Sequence, residues 1–121
     1  MANITTRRTI RKYTAEDVPS DLLNELLKKA ERTQTMGNLQ LYSVVTTRDP
    51  ANKARLAPLH FNQPMVQNAP VVLTFCADFH RTTEWAKRRK GQPGYNNILS
   101  FLNAASDALL FCQTFCHLAA E

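Results

Sequence analysis

Asn97-Ile98-Leu99-Ser100-Phe101-Leu102-Asn103-Ala104-Ala105-Ser106-Asp107-Ala108-Leu109-Leu110-Phe111-Cys112-Gln113-Thr114-Phe115-Cys116-His117-Leu118-Ala119-Ala120 is the stretch on which the fold turns. Ile98, Phe101, Leu102, Ala105, Ala108, Leu109, Cys112, Phe115, Cys116 and Ala119 form one wide apolar face at helical spacing, and Leu110, Phe111 and Leu118 extend it around the cylinder. A helix this apolar has to be buried, either in a large core or against a second subunit. No glycine cap or terminal basic residue closes it before Glu121. The expectation is therefore a chain that is the N-terminal part of a longer protein.

Working back from this helix, Val71–Ala77 is a continuous apolar run and reads as a strand buried on both faces. A charged segment containing Trp85 follows it and ends at the break Gly91-Gln92-Pro93-Gly94. Leu59–Ala69 contains Pro64 and precedes Pro70, so it reads as loop or broken helix. Arg48-Asp49-Pro50 turns into a short helix over 51–57, and Leu41–Thr47 is β-branched and apolar, a second strand. Leu22, Leu23, Leu26, Leu27 and Ala30 mark a helix over 19–32, with Pro19 near its first turn and basic residues toward its end. Thr33–Asn38 is polar and reads as a loop. No internal repeat is present.

The length of 121 residues fits one domain. With 44% apolar and 21% charged residues, the composition argues against disorder and low complexity. No uninterrupted apolar run approaches the roughly 18 residues of a membrane span. The N-terminus lacks the apolar core of a secretory signal, which makes a cytoplasmic location the expectation. Three cysteines do not make a disulfide framework. The net charge of +5 is concentrated in two clusters, Arg7, Arg8, Arg11 and Lys12, and Arg81, Lys87, Arg88, Arg89 and Lys90; the remainder of the chain is net acidic. Two local cationic clusters suit small anionic ligands at least as well as nucleic acid.

Arg7, Thr9 and Arg11 alternate, so in an extended chain they share one side. Two guanidinium groups and a hydroxyl on one side can hold a phosphate through forked hydrogen bonds; a solvated basic N-terminus is the plainer alternative. The succession of short motifs along the chain adds to the first reading. Arg7-Arg8-Thr9-Ile10-Arg11-Lys12-Tyr13, Val18-Pro19 with Leu22-Leu23, Gly37-Asn38-Leu39-Gln40-Leu41-Tyr42, Asn62-Gln63-Pro64, Ala69-Pro70-Val71-Val72, Phe75-Cys76-Ala77-Asp78 and Gly94-Tyr95-Asn96-Asn97 occur one after another, and Asp107-Ala108 comes after them. In this order they resemble the motifs of the nitroreductase and flavin reductase family of FMN-dependent oxidoreductases, over essentially the whole chain. Thr9 stands for the family's usual Ser, Gln34, Thr35 and Met36 replace a stretch usually rich in Pro and Ser, and Leu41 replaces a Pro.

The resemblance implies an α+β nitroreductase-like fold, with a mixed sheet flanked by helices and the long helix 97–120 at a homodimer interface. It implies hydride transfer from NAD(P)H through FMN to nitroaromatic, quinone or flavin acceptors in a ping-pong cycle. Arg7, Arg8, Thr9 and Arg11 would bind the FMN phosphate and the polar edge of its ring. Thr35, Asn38 and Gln40 would lie on a loop reaching the flavin of the other subunit, and Asn62 or Gln63 would bond the ribityl chain or pyrimidine edge. The family's second half, with a Gly-rich flavin loop and a further basic contact, is absent, so the domain 1–121 would be truncated and its site incomplete. No side-chain nucleophile, general base or metal is needed, because the cofactor carries the chemistry. Partners would be a second copy and a small-molecule acceptor, with no nucleic acid and no membrane. The rival from another class is a small basic nucleic-acid-binding module using 7–12 and 81–90; an inactive flavoprotein fragment is the third. Lys87–Lys90 reads as a solvated helix face or a dock for the extra phosphate of NADPH, Trp85 as packing or a stacking surface, and Cys112 and Cys116 as small hydrophobes. His60 and His80 have no partner at a telling spacing.

Overall fold

The structure is a computed structural model, and it describes residues 7–94 and 96–120. From Arg7 to Pro19 the chain has no regular structure. Helix α1 (Ser20–Ala30) starts at Pro19, whose φ of −55° and missing N–H suit the N-cap, and it carries Asp21 in its first turn and Lys28 and Lys29 in its last. Leu23 and Ala30 are buried and Leu26 and Leu27 pack beside them. The helical reading of 19–32 thus holds, except that Glu31 to Thr33 form a closing turn.

Strands β1 (Tyr42–Thr47) and β2 (Val72–Ala77) pair antiparallel, from Tyr42 opposite Ala77 to Thr47 opposite Val72. The connection between them holds helix α2 (Pro50–Leu56), a 3₁₀ turn over Ala57–His60 and helix α3 (Pro64–Asn68), so the segment 59–69 is a broken helix. Asp49 caps α2 by accepting from Asn52 N at 2.8 Å. Lys53, though buried, donates its ammonium to the carbonyls of Gln67 (3.1 Å) and Ala69 (2.8 Å), which ties α2 to the end of α3.

Two expectations about the sheet need correction. Among the described residues it is an antiparallel pair and not a mixed sheet. Nor is β2 buried on both faces. Leu73 and Phe75, with Tyr42 and Val44 of β1, form the face that joins the core. The opposite face keeps Val45 52% exposed and Val72, Thr74 and Cys76 only half-buried. Continuous apolarity arose because the open face also carries Val72 and Cys76, so alternation was hidden.

Helix α4 (Phe79–Arg88) follows β2 directly, and α5 (Ile98–Leu118) is the long helix. Asn97 caps α5 by accepting from Ser100 N at 3.1 Å. Ala104, Asp107, Ala108, Phe111 and Phe115 line its buried face. There Tyr42 stacks on Phe111 with centroids 4.2 Å apart, and Phe75 meets Phe111 and Phe115 at 6.0 and 5.9 Å. In length and apolarity α5 matches a membrane span, but its buried face is packed on α1 and the sheet and holds a carboxylate occupied inside the fold. Its opposite face is open, with Ile98 72%, Phe101 61% and Leu109 71% exposed. The helix closes without a glycine, through Ala119 N to Phe115 O and a tighter bond from Ala120 N to His117 O.

Candidate functional site

Asp107 is fully buried within the apolar face of α5. A carboxylate in such a place needs hydrogen-bond donors, because desolvating it unpaired is prohibitive. Its Oδ1 accepts from Met36 N at 2.9 Å and its Oδ2 from Leu41 N at 3.0 Å. These two bonds bracket a loop in which Gly37, Asn38 and Gln40 all have left-handed backbones, with φ of 55°, 55° and 52°. Glycine adopts that conformation freely and asparagine tolerates it, whereas for Gln40 it costs about 1–2 kcal/mol. Strain of this kind persists only where surrounding contacts over-determine it. Besides Asp107, Arg81 donates its guanidinium to Gln40 O and Thr82 its hydroxyl to Leu39 O at 3.4 Å.

Helix α4 is aimed at this loop by Asp78. Its backbone N–H donates to Leu41 O at 2.8 Å, and its carboxylate accepts from Arg81 N at 3.0 Å and from the Ser43 hydroxyl. The Ser43 bond, followed by the Arg81 N–H, holds the Asp78 carboxyl below its ordinary value of 3.8. A depressed carboxyl contributes stability that is complete above the unfolded value and lost as pH falls through the folded one. Asp78→Ala is therefore expected to cost about 1–2 kcal/mol at pH 7, as for other N-caps. The difference from the parent should close as the pH drops below 3.8, read by urea unfolding across pH. Burial pushes the neighbouring Tyr42 phenol up, with Glu31 adding to it.

Between the loop and α4 lies an open cleft of about 460 Å³ lined by Asn38, Leu39, Gln40, Arg81, Thr82 and Trp85. Of the flavin-binding candidates that the sequence singled out, only Asn38 and Gln40 are brought together in this cleft; Gln40 Nε2 donates to Asn38 Oδ1 at 3.4 Å. Thr35 precedes them, its hydroxyl oxygen buried with no hydrogen-bond partner. Arg7, Arg8, Thr9 and Arg11 lie exposed on the irregular N-terminal segment, and no ion pair among the described residues engages their guanidiniums. Arg7 passes close enough to α5 for its charge to oppose the rise in the Cys112 thiol that burial and Cys116 produce. Asn62 follows Phe61 in a left-handed pair, φ 53° and 55°, held by Asn62 N to Ala57 O at 2.8 Å. Gln63 stands at the N-cap of α3 with its side chain unused there. No described hydrogen bond joins these three groups to one another.

Among the described residues no three metal-binding side chains cluster. Two contributors were named in the sequence reading without the role they play here. One is Asp107, whose signal was a single carboxylate at i+3 from Ala104 and i−4 from Phe111 on a buried stripe. The other is Arg81, whose role depends on a fold-back from α4 that no local pattern encodes.

The sequence profile of the nitroreductase family matches residues 4–121. An NADH dehydrogenase of Thermus thermophilus is 46% identical over 72 residues, covering 60% of this chain and 35% of its own. A Bacillus subtilis FMN reductase (NADPH) is 30% identical over 120 residues, covering 98% of this chain and 48% of its own. The crystal structure of a candidate oxidoreductase from Bacteroides fragilis superposes with a TM-score of 0.94 at 59% identity, over 97% of this chain and 48% of that one. The chain thus spans half or less of the length of each relative. Order of motifs, fold and profile agree: this chain belongs to the nitroreductase family.

Proposed function

We propose that the chain is part of an FMN-dependent NAD(P)H oxidoreductase acting on nitroaromatic, quinone or flavin acceptors. Residues 1–121 supply roughly the first half of a nitroreductase domain, and a second copy completes the site across the open face of α5. A cytoplasmic location goes with this reading. The observation that carries it is the run of exposed guanidiniums at the matched positions Arg7, Arg8 and Arg11, which no ion pair among the described residues engages. They suit a phosphorylated flavin, whose phosphate brings acceptors for the guanidiniums. The names of relatives, FMN reductase and NADPH-flavin oxidoreductase, agree with it.

FMN, where bound, would supply the hydride-transfer chemistry between NAD(P)H and the acceptor. The chain's own residues bind and orient. Arg7, Arg8, Thr9 and Arg11 grip the phosphate with charge-assisted bonds. The Asn62 or Gln63 amide both donates and accepts, as the ribityl chain or pyrimidine edge requires. Thr35, Asn38 and Gln40 present their polar groups to the flavin of the second copy from a loop that Asp107 keeps in one conformation.

The test is Arg7→Ala with Arg11→Ala in the full-length protein. Two lost bonds to a charged group should weaken FMN retention by roughly 100-fold or more, read by flavin absorbance after dialysis. Unchanged FMN affinity would end this assignment. Salt-sensitive binding to DNA by a sample without flavin would move the reading to a basic nucleic-acid module.

A further inference from the structure

We propose that the cleft between the 38–40 loop and α4 binds the adenosine 2′-phosphate end of the electron donor, and so selects NADPH over NADH. This rests on the oxidoreductase reading above and extends it to residues of α4, Trp85, Arg88 and Arg89, that the family-matched motifs do not include.

Trp85 is the only tryptophan of the sequence. It stands 55% exposed on α4 as one wall of the cleft. A half-open indole beside a concavity offers a stacking surface for a purine. The Arg89 guanidinium already lies over this ring, 4.2 Å from its centroid. A stacked guanidinium keeps its N–H edge directed outward in a fixed fork, the geometry that matches a phosphate monoester. Arg81, Arg88 and Arg89 line an adjoining groove of about 380 Å³ that shares Trp85 with the cleft. The one carboxylate in that groove, Glu84, is engaged by Lys87 at 2.8 Å, so its charge is partly offset where an anion would sit. The positive end of the cleft is thus prepared for more negative charge than one phosphodiester carries.

The opposite wall carries the Asn38 and Gln40 side chains, which the proposed function assigns to the flavin of a second copy. The cleft therefore runs from the flavin-facing loop to a stacked aromatic and a guanidinium cluster. A ligand with a reactive ring at one end and a phosphorylated purine nucleoside at the other has this order of chemistry. The 2′-phosphate is the group that distinguishes NADPH from NADH, and the stacked Arg89 beside the Arg88 guanidinium is the recognition it calls for. A nucleic-acid strand fits less well, since among the described residues only Trp85 and the His80 imidazole offer rings in the cleft and groove, and a run of bases needs a run of platforms.

The full-length, flavin-loaded protein is titrated with adenosine 2′,5′-bisphosphate and, separately, with 5′-AMP. Binding is read by calorimetry and by indole fluorescence, with Trp85→Phe identifying the Trp85 signal. The bisphosphate is expected to quench Trp85 and to bind at least about tenfold more tightly than 5′-AMP, as added charge-assisted bonds require. Arg88→Ala with Arg89→Ala should bring the two affinities within about twofold while 5′-AMP binding persists. Equal affinities for the two nucleotides in the parent protein, or a bisphosphate preference that survives the double substitution, would overturn the proposal. So would a single-stranded oligonucleotide that displaces the bisphosphate at lower concentration. Flavin content is measured by absorbance on the same samples. A flavin-loaded protein that ignores the 2′-phosphate refutes the cleft assignment alone, whereas bisphosphate selectivity in a protein that never holds flavin refutes the oxidoreductase reading and leaves the phosphate site standing.

Discussion

Asp107→Ala is expected to lower the unfolding free energy by about 2–5 kcal/mol, a large share of the 5–15 kcal/mol that holds a typical domain together. The substitution removes the acceptor of two backbone N–H groups, Met36 and Leu41, and Leu41 is itself fully buried. Each orphaned donor costs roughly 1–3 kcal/mol, and the truncation leaves a small void between Ala104 and Phe111. Asp107→Asn keeps the shape but offers one acceptor oxygen and an amide that cannot accept, so it should recover only about half of the loss. The loop should respond before the fold does. With its anchors gone, the left-handed conformations at Asn38 and Gln40 have less to hold them, and limited proteolysis should cut within 36–41 under conditions where the parent resists. Urea unfolding at constant m-value, with Ser106→Ala on the exposed neighbour as control, measures the first effect. A cost below 1 kcal/mol for Asp107→Ala, or an uncut loop, would show that Arg81 and the chain ends of the loop suffice without the carboxylate.

What the sequence made legible was whatever obeys local periodicity. Helix α1 announces itself through Leu22, Leu23, Leu26, Leu27 and Ala30, because a single buried stripe repeats at 3.6 residues and the flanking charges follow the helix dipole. Helix α5 was visible for the same reason, its apolar residues recurring at helical spacing and running on around the cylinder. The second face of β2 was misread because burial of a strand depends on what covers it, and apolar residues also stand on uncovered faces. The candidate site divides in the same way. Its matched positions could be found along the chain, but the contacts that fix the 36–41 loop span 66 and 71 residues of sequence, from Leu41 and Met36 to Asp107. Pairing across such a separation has no local signature. Only the oddity of one acid in an apolar helix hinted at it, and that hint specifies no partner.

The open face of α5 gives rise to the other large effect. Phe101, Leu102 and Leu109 stand 61%, 52% and 71% exposed on one side of a helix whose other side is the core of the domain. Contiguous apolar surface of this kind on a folded chain points to an interface, and the proposed function assigns it to a second copy. Leu102 and Leu109 are seven residues apart, two helical turns, and so lie on one stripe. Leu102→Glu with Leu109→Glu should therefore remove two leucines from the middle of that contact and place two like charges in it. Burying each leucine is worth about 1.5–3 kcal/mol, and every 1.4 kcal/mol is tenfold in affinity, so association should weaken by at least about 100-fold. Light scattering of the full-length protein at micromolar concentration should show a dimer in the parent and a monomer in the variant, with far-UV dichroism unchanged. Flavin content should fall together with the dimer, because Thr35, Asn38 and Gln40 of one copy are proposed to serve the flavin of the other. A variant that stays dimeric would remove α5 from the interface. One that remains a folded monomer with full flavin would separate assembly from the cofactor, and the loop held by Asp107 would then have to serve the flavin of its own chain.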